Sequence, residues 1–575
     1  MKKIALSLLL IIVVASLVIY FLTEDEQKEM DPARFLPKQT SFYLEHQDLE
    51  VFIDSLSQSK LGKTFSAIDY DLLFRELQLH ELHYENFKNI RDDINEFLDS
   101  QVYKQLLSKK VVVSLLPAES AEISDPQVEA KKRLLVIFKT KLNSNLLDLI
   151  GYLNLEGIRQ TSQKYGNHVI KFHHLKNNEI LVTTKVEGLV LLSFNEDIIR
   201  ASIDRFERKE SSLVSHKDFK ELRKNQRNCK VFFYSSIQEI RKQLPYFIQK
   251  FDDTTKDIIT KKLIGWDGWR TFSFCITSDG NALYDRATIY FDKDKLDPST
   301  KKLFLTPPEE NKTLSMIPAS VVTYYWTNTF DLPVIWDTII NNSKMSEEQR
   351  SKIRNDFIKN IGMEPEKLFE LFNKKIAFFI MEGNGANFIP LPDISFIINL
   401  KQSKEVGDLL KNQLEKFQIP VQTQTYKKRK MIYWGNSIQQ SLQPVYAIFN
   451  SHLYVSSSIE VMKKMIDTID SGQGLAVDNE FLSVTHSNFT GKNNTVSFIR
   501  FSSLIRLTKE LVNWGGTILG LQDRRVAHKT KILIEHLINP VLDGMMMFST
   551  VHARSYTTDD KIVFENKTIF DRTQP

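Results

Sequence analysis

Ser57-Gln58-Ser59-Lys60 is the first place in the chain where residue type and spacing could support covalent chemistry. On a continuous helix a Ser-x-x-Lys step brings a lysine amine to a serine hydroxyl, the arrangement that activates the nucleophile of penicillin-binding proteins. That chemistry also needs Ser-Asp-Asn and Lys-Thr-Gly elements, and neither occurs; with Leu61-Gly62 following, the segment reads as a helix end. His80-Glu81-Leu82-His83, with Glu85 beyond, puts two imidazoles near one helical face at i and i+3 and could recruit a metal. It lacks the His-Glu-x-x-His order, and the acids, lysines and Tyr84 around it describe a solvated helix. His173 and His174 are adjacent on an expected strand, so they leave opposite faces and do not chelate together. Gly383-Asn384-Gly385-Ala386-Asn387-Phe388 lacks the third glycine of a phosphate cradle and reads as a turn. Cys229 and Cys275 are too few for a cysteine-based zinc or iron–sulfur centre; both fall on expected strands, where two buried thiols are the first expectation and a disulfide the alternative. The polar inventory names no catalytic residue, no metal site and no cofactor.

Two other features could recognise a partner. Lys427-Lys428-Arg429-Lys430, beside Tyr426 and Tyr433-Trp434, has the basic and aromatic composition of an anionic-polymer contact, and equally that of a hairpin tip. The whole chain argues for the tip: 76 basic against 71 acidic residues leave a net charge of only +5, with no long single-sign block, which excludes a dedicated nucleic-acid binder. Aromatic residues are more telling. Trp266 and Trp269 fall in one cluster, and Tyr324-Tyr325-Trp326 form another. Consecutive side chains on a strand point oppositely, so at least one large ring of the second cluster leaves the main core. Tyr325, Trp326, Trp266 and Trp269 are the candidate binding surface.

The elements that must position these residues come in two sets. Leu36-Pro37 introduces Phe42-Tyr43-Leu44 and Asp48-Leu49-Glu50-Val51, while Ile317-Pro318 introduces Tyr324-Tyr325-Trp326 and Asp331-Leu332-Pro333-Val334. Lys109-Lys110-Val111 recurs as Lys374-Lys375-Ile376, Val231–Ile237 as Val496–Leu504 with a short insertion, and Asp267-Gly268 as Asp543-Gly544. The order is kept while the offset drifts, which is a diverged duplication of domain-sized units and not a solenoid. Short apolar or alternating runs occur in consecutive pairs joined by turn residues, a pattern of hairpins. The expected fold class is α+β: an N-terminal transmembrane helix followed by two homologous domains with mainly antiparallel sheets and packed helices. The expected bounds are 1–23 for the anchor, 24–33 for a linker, 34–293 for the first copy, 294–312 for a second linker and 313–575 for the second copy.

The anchor rests on Met1-Lys2-Lys3 and the uncharged run Ile4–Leu22, through Leu10, Val14 and Leu17, whose length nearly matches a hydrocarbon core of about 30 Å. The flanking lysines place the N-terminus inside and the bulk outside the cytoplasm. Such an anchor, followed by Phe35-Leu36-Pro37-Lys38-Gln39-Thr40-Ser41-Phe42-Tyr43-Leu44 and a helix carrying Ser59-Lys60-Leu61-Gly62, resembles an uncharacterised bacterial envelope family known only as a domain of unknown function. Its members commonly open with Leu-Pro-Ala-Asp-Thr, from which Lys38-Gln39 departs, and the second copy retains Ile317-Pro318-Ala319-Ser320. The resemblance implies a bacterial, envelope-facing protein and brings no catalytic residue with it. The function expected is therefore non-catalytic: a single-pass inner-membrane protein whose duplicated periplasmic region binds a partner protein or contributes to envelope assembly. A carrier of a lipid or other apolar ligand is the alternative, and a hydrolase a distant one.

Overall fold

The computed structural model describes residues 30–99, 110–117, 126–139, 159–175, 179–226, 228–248, 252–253, 256, 266–340, 345–383, 390–434, 443–478, 481–482, 489–522 and 524–571. The first half contributes β1 (Phe42–Gln47), β2 (Lys110–Leu115), β3 (Leu134–Lys139), β4 (Arg159–Tyr165), β5 (His168–His174), β6 (Ile180–Val186), β7 (Leu189–Ser193), β8 (Val231–Ser236), β9 (Trp269–Ser278) and β10 (Ala282–Phe291). A two-residue strand, β11 (Glu309–Glu310), precedes the second half: β12 (Thr323–Thr327), β13 (Phe372–Met381), β14 (Asp393–Leu400), β15 (Val421–Tyr426), β16 (Arg429–Trp434), β17 (Val445–Phe449), β18 (His452–Ser456), β19 (Lys492–Asn493), β20 (Thr495–Arg500), β21 (Phe548–Thr557) and β22 (Lys561–Phe570).

Strand order repeats between the halves. The first runs β4-β5-β6-β7-β3-β2-β1-β8-β9-β10 and the second β15-β16-β17-β18-β14-β13-β12-β20-β21-β22. Tight turns fix the outer hairpins. Glu187-Gly188, Lys427-Lys428 and Asn450-Ser451 each place two successive residues at positive φ, the backbone of a two-residue hairpin turn. Both proline motifs also do the same work. Leu213 N–H donates to the Leu36 carbonyl at 2.9 Å, and Leu475 N–H to that of Ile317 at 2.8 Å, so each segment is tied to the chain leaving the long core helix.

Each unit has its own core against one sheet face. In the first, Tyr43, Val112, Ile137, Leu191, Phe232 and Tyr234 meet Ile199 and Ile203 of the helix Glu196–Glu207 and Phe219 of Lys217–Asn225. In the second, Tyr324, Trp326, Phe379, Ile397, Tyr454 and Phe498 meet Met462, Met465 and Ile466 of Ile459–Ser471. These helices form because apolar side chains recur at three- and four-residue spacing behind Asn195 and Ser458, whose side chains accept the first free backbone N–H groups.

Two expectations are corrected. No helix among the described residues is long and apolar enough to cross a membrane. The longest described helix, Phe501–Gln522, has 22 residues but carries Arg506, Lys509 and Glu510. The expected anchor residues Ile4, Leu10, Val14, Leu17 and Leu22 lie outside the described residues, and the transmembrane, single-pass and inner-membrane assignments are withdrawn. The expected fold class, a transmembrane helix followed by two domains, is therefore not upheld: the described strands are antiparallel and no membrane-crossing helix precedes them among the described residues. The chain divides into two compact units. One comprises residues up to Ser59, Gln78–Asp279 and Asp285–Leu296; the other takes Lys60–Leu77 and Gly280–Tyr284 in addition to everything from Asp297. Within that second unit Gly544 allows close helix packing, since a Cβ there would lie 3.1 Å from Leu61 Cα and 2.9 Å from Thr64 Oγ1.

Cys229 and Cys275 are a disulfide, not two thiols, with Cα atoms 5.6 Å apart. Cys275 faces Phe232 across the β8–β9 ladder, which brings it beside the residue entering β8. Closing a loop with a separation of 46 residues restricts the unfolded chain by roughly 4 kcal/mol on the chain-entropy account. Reduction, or Cys229→Ser with Cys275→Ser, is expected to lower unfolding stability by about 2–4 kcal/mol. Urea unfolding with and without reductant measures this; equal midpoints would show that the crosslink contributes nothing.

Candidate functional site

β12 is the strand on which the two halves differ most in chemistry. Tyr324 and Trp326 point inward, each 1% exposed, while Tyr325 points out, 38% exposed. Tyr324 is held by Asn311 Nδ2–H at 2.7 Å and by Thr313 Oγ1 at 2.7 Å. Burial pushes its phenol well above the usual range.

On the outer face a cross-strand ladder runs Tyr325–Phe378–Phe396–Val455 over β12, β13, β14 and β18. Ring centres are 6.5 Å apart for Tyr325 and Phe378 and 6.0 Å for Phe378 and Phe396, distances at which aromatic pairs attract. Helix Ser403–Lys416 packs over neighbouring Tyr446, Leu453 and Ile398 but leaves Phe396, Ile394 and Leu391 at 38–40% exposure. The matching register in the first half reads Leu44–Val113–Val136–Leu192, all aliphatic, with Val136 and Leu192 buried. Duplication has thus produced an aromatic, exposed version of an aliphatic ladder.

The inner face of the second unit opens into a cavity of about 540 Å³. Met316, Trp326 and Ile397 form its apolar floor. Lys312 and Thr313 come from the 3₁₀ turn Lys312–Ser315, Lys375 from β13, Asn399 from β14, His452 from β18, and Glu309, Glu310 and Lys492 from the small β11–β19 sheet. Lys375 is ion-paired with Glu309. His452 Nδ1 lies 2.6 Å from the Asn450 carbonyl, so that nitrogen carries the proton, and Nε2 accepts from Asn399 at 3.1 Å. Burial holds this imidazole below its ordinary pKa and hence neutral.

The first half fills the corresponding place with an internal charge network. Glu45 occupies the register of Trp326, between Val112 and Phe232 where Trp326 sits between Ala377 and Val496. Its carboxylate accepts from Arg223, from Tyr43 Oη at 2.5 Å and from Gln47 at 3.2 Å, with Lys110 at 3.8 Å. Burial alone would raise the Glu45 pKa, but Arg223 and Lys110 hold it at about 2. Every acceptor is committed, so this cluster is a structural core pair.

The other sequence candidates fare differently. Ser57 and Lys60 are not on one helical turn: the helix Leu49–Gln58 stops, Ser59 is extended, and Lys60 begins the next. Ser57 Oγ donates to the Asp54 carbonyl at 2.9 Å. His80 and His83 are exposed, and His80 Nδ1 accepts from Leu82 N–H as a cap. Among the described residues no group of three His, Cys, Asp or Glu side chains could hold a metal. The basic run is a hairpin tip whose charge is met at once by the helix Ile459–Ser471: Lys427 pairs with Asp467 at 2.6 Å and Arg429 with Asp470. Trp266 is 41% exposed, whereas Trp269 packs edge-on against Phe291 at 6.0 Å, as Phe548 meets Phe570 at 5.8 Å in the second half. Register also corrects two proposed pairings. Phe232 and Tyr234 match Val496 and Phe498 without an insertion, and Gly268, whose carbonyl accepts from Asp292, matches Met547, whose carbonyl accepts from Asp571.

No family model matches the chain, and no protein of curated function matches it. Two solved structures are similar to part of it. Crystal form III of TP0453 is 11% identical and covers 50% of this chain and 91% of its own at a TM-score of 0.25. Crystal form IV of TP0453 is 10% identical and covers 46% and 81% at 0.23. Likeness at this level carries no argument about architecture or activity.

Two fully buried imidazoles, His173 and His552, contribute to the acid response, together with His46, His216 and His452, whose pKa values burial also lowers. His552 lies among Phe481, Phe489 and Phe498, its ring nitrogens without a partner; burial, then Lys567 and Arg500, lower its pKa to about 3. His173 bonds Thr183 at 3.0 Å, and burial lowers it to about 4. Both fold neutral, while the unfolded chain protonates near 6.5. Stability is therefore complete above pH 6.5 and falls toward pH 4, by about 1.4 kcal/mol per imidazole per pH unit. Glu45 adds its own loss only below pH 4.5. Denaturant unfolding between pH 7.5 and pH 5 should show this decline, and His552→Phe should make it shallower. A flat profile would mean that these rings are solvated in the folded state.

Proposed function

We propose that the protein acts by binding a partner protein through the outer face of β12–β14, not by catalysing a reaction. The observation that supports this reading is the half-exposed Tyr325–Phe378–Phe396 ladder with Ile394 beside it. Large apolar side chains clustered on one open sheet face are the surface a protein partner desolvates, and buried aromatic anchors dominate the energetics of such contacts. The same register in the first half stays aliphatic and buries Val136 and Leu192, so the exposed aromatics are not required by the fold itself. A carrier of wholly apolar ligands is less well supported, because the cavity is lined by three lysines, two glutamates and a histidine.

A photo-crosslinking amino acid at Tyr325 or Phe396, introduced into the full chain in its native cells, should give one discrete adduct, and the same probe at Lys428 on the β15–β16 turn should not. Tyr325→Asp with Phe396→Asp should reduce partner capture at least about tenfold, scored in protein that still unfolds cooperatively. An adduct with the mass of two chains identifies a second copy as the partner. Equal crosslinking at Lys428, or capture that survives the double substitution, defeats the reading.

A further inference from the structure

We infer that the inner-face cavity of the second unit is a binding site for a small organic anion, whose carboxylate or phosphate group meets Lys312 and Lys492 while its body rests on Trp326. The cavity volume of about 540 Å³ lies within the range of small-molecule sites, roughly 300–1,000 Å³.

Charge pairing inside the cavity leaves a specific remainder. Lys375 is neutralised by Glu309, and the His452–Asn399 pair satisfies itself with the Asn450 carbonyl and Asn373. Neither Lys312 nor Lys492 has an ion pair or side-chain hydrogen bond to a described residue. Glu310 faces Lys492 across the β11–β19 ladder, also without a close ion pair. Two unpaired ammonium groups against one carboxylate make the open part of the site net cationic.

A second observation comes from Trp326 itself. Its side chain is 1% exposed and lines the cavity, an aromatic surface on which the body of a ligand can rest. The first half has no such arrangement, because Glu45 and Arg223 close the equivalent register upon each other. Tyr325 and Trp326 thus serve opposite faces, and this inference stands or falls apart from the partner surface.

The test uses the full chain labelled with ¹⁵N at its six tryptophan indoles, with Trp326→Phe assigning the signal. Phenyl phosphate, benzoate and inorganic phosphate are titrated separately to about 10 mM. A saturable shift of the Trp326 N–H with phenyl phosphate or benzoate is expected, and the tighter of the two decides between a phosphate ester and a carboxylate. Lys312→Gln with Lys492→Gln should weaken that probe at least about tenfold, Glu310→Gln should tighten it severalfold, and Lys428→Gln should change nothing. Lys312 and Lys492 are on the rim, so these variants report even where Trp326→Phe perturbs the core. An unmoved Trp326 signal with all three probes, or a shift indifferent to the lysine pair, overturns the site; inorganic phosphate binding as tightly as phenyl phosphate overturns the role of the Trp326 floor.

Discussion

Everything in each unit depends on the double pairing of one strand. β1 is hydrogen-bonded on both sides, to β2 and β8, and β12 likewise to β13 and β20. A strand paired on both edges has no freedom of register, and a period of two then assigns each of its side chains to a fixed face. Tyr43 and Tyr324 become the centres of two cores on that ground alone, and the proline motifs that lead into them are held by backbone bonds from Leu213 and Leu475. A slip by one residue would bury Tyr325 and expel Trp326.

With the backbone so constrained, divergence between the halves is confined to what each position points at. The Glu45 register shows the trade clearly. A buried carboxylate is tolerable only because Arg223, Lys110, Tyr43 and Gln47 surround it, and removing one partner of such a pair typically costs about 3–5 kcal/mol. Trp326 removes the charge, leaves Lys375 to pair with Glu309 at the rim, and opens space above the indole. On the other face the exchange of Leu44 and Val136 for Tyr325 and Phe396 alters a covered aliphatic surface into an open aromatic one. One half retains its polar groups for stability; the other has polar and apolar groups turned outward.

The fold was partly legible because its signals are local. Consecutive hairpins, the alternation at Tyr324-Tyr325-Trp326, the opposite faces of His173 and His174, and the match of Lys110 with Lys375 all follow from neighbours within a few residues. Readings that needed distance failed. The cysteine pair looked like two thiols because nothing along the chain says that the entry to β8 lies beside the middle of β9. The Asp-Gly motifs looked equivalent, although the backbone bonds from Asp292 and Asp571 make Gly268 the counterpart of Met547.

By itself, then, the sequence determined the duplication, the antiparallel habit and which face each residue of a strand would take, since these depend on period and turn chemistry. Only the tertiary structure decided that Lys60–Leu77 belongs with the second unit, and that Glu309, Lys312, Lys375, His452 and Lys492 line one cavity over Trp326. Those residues come from five separate segments, and their convergence is set by long-range strand pairing and core packing, which no local pattern encodes.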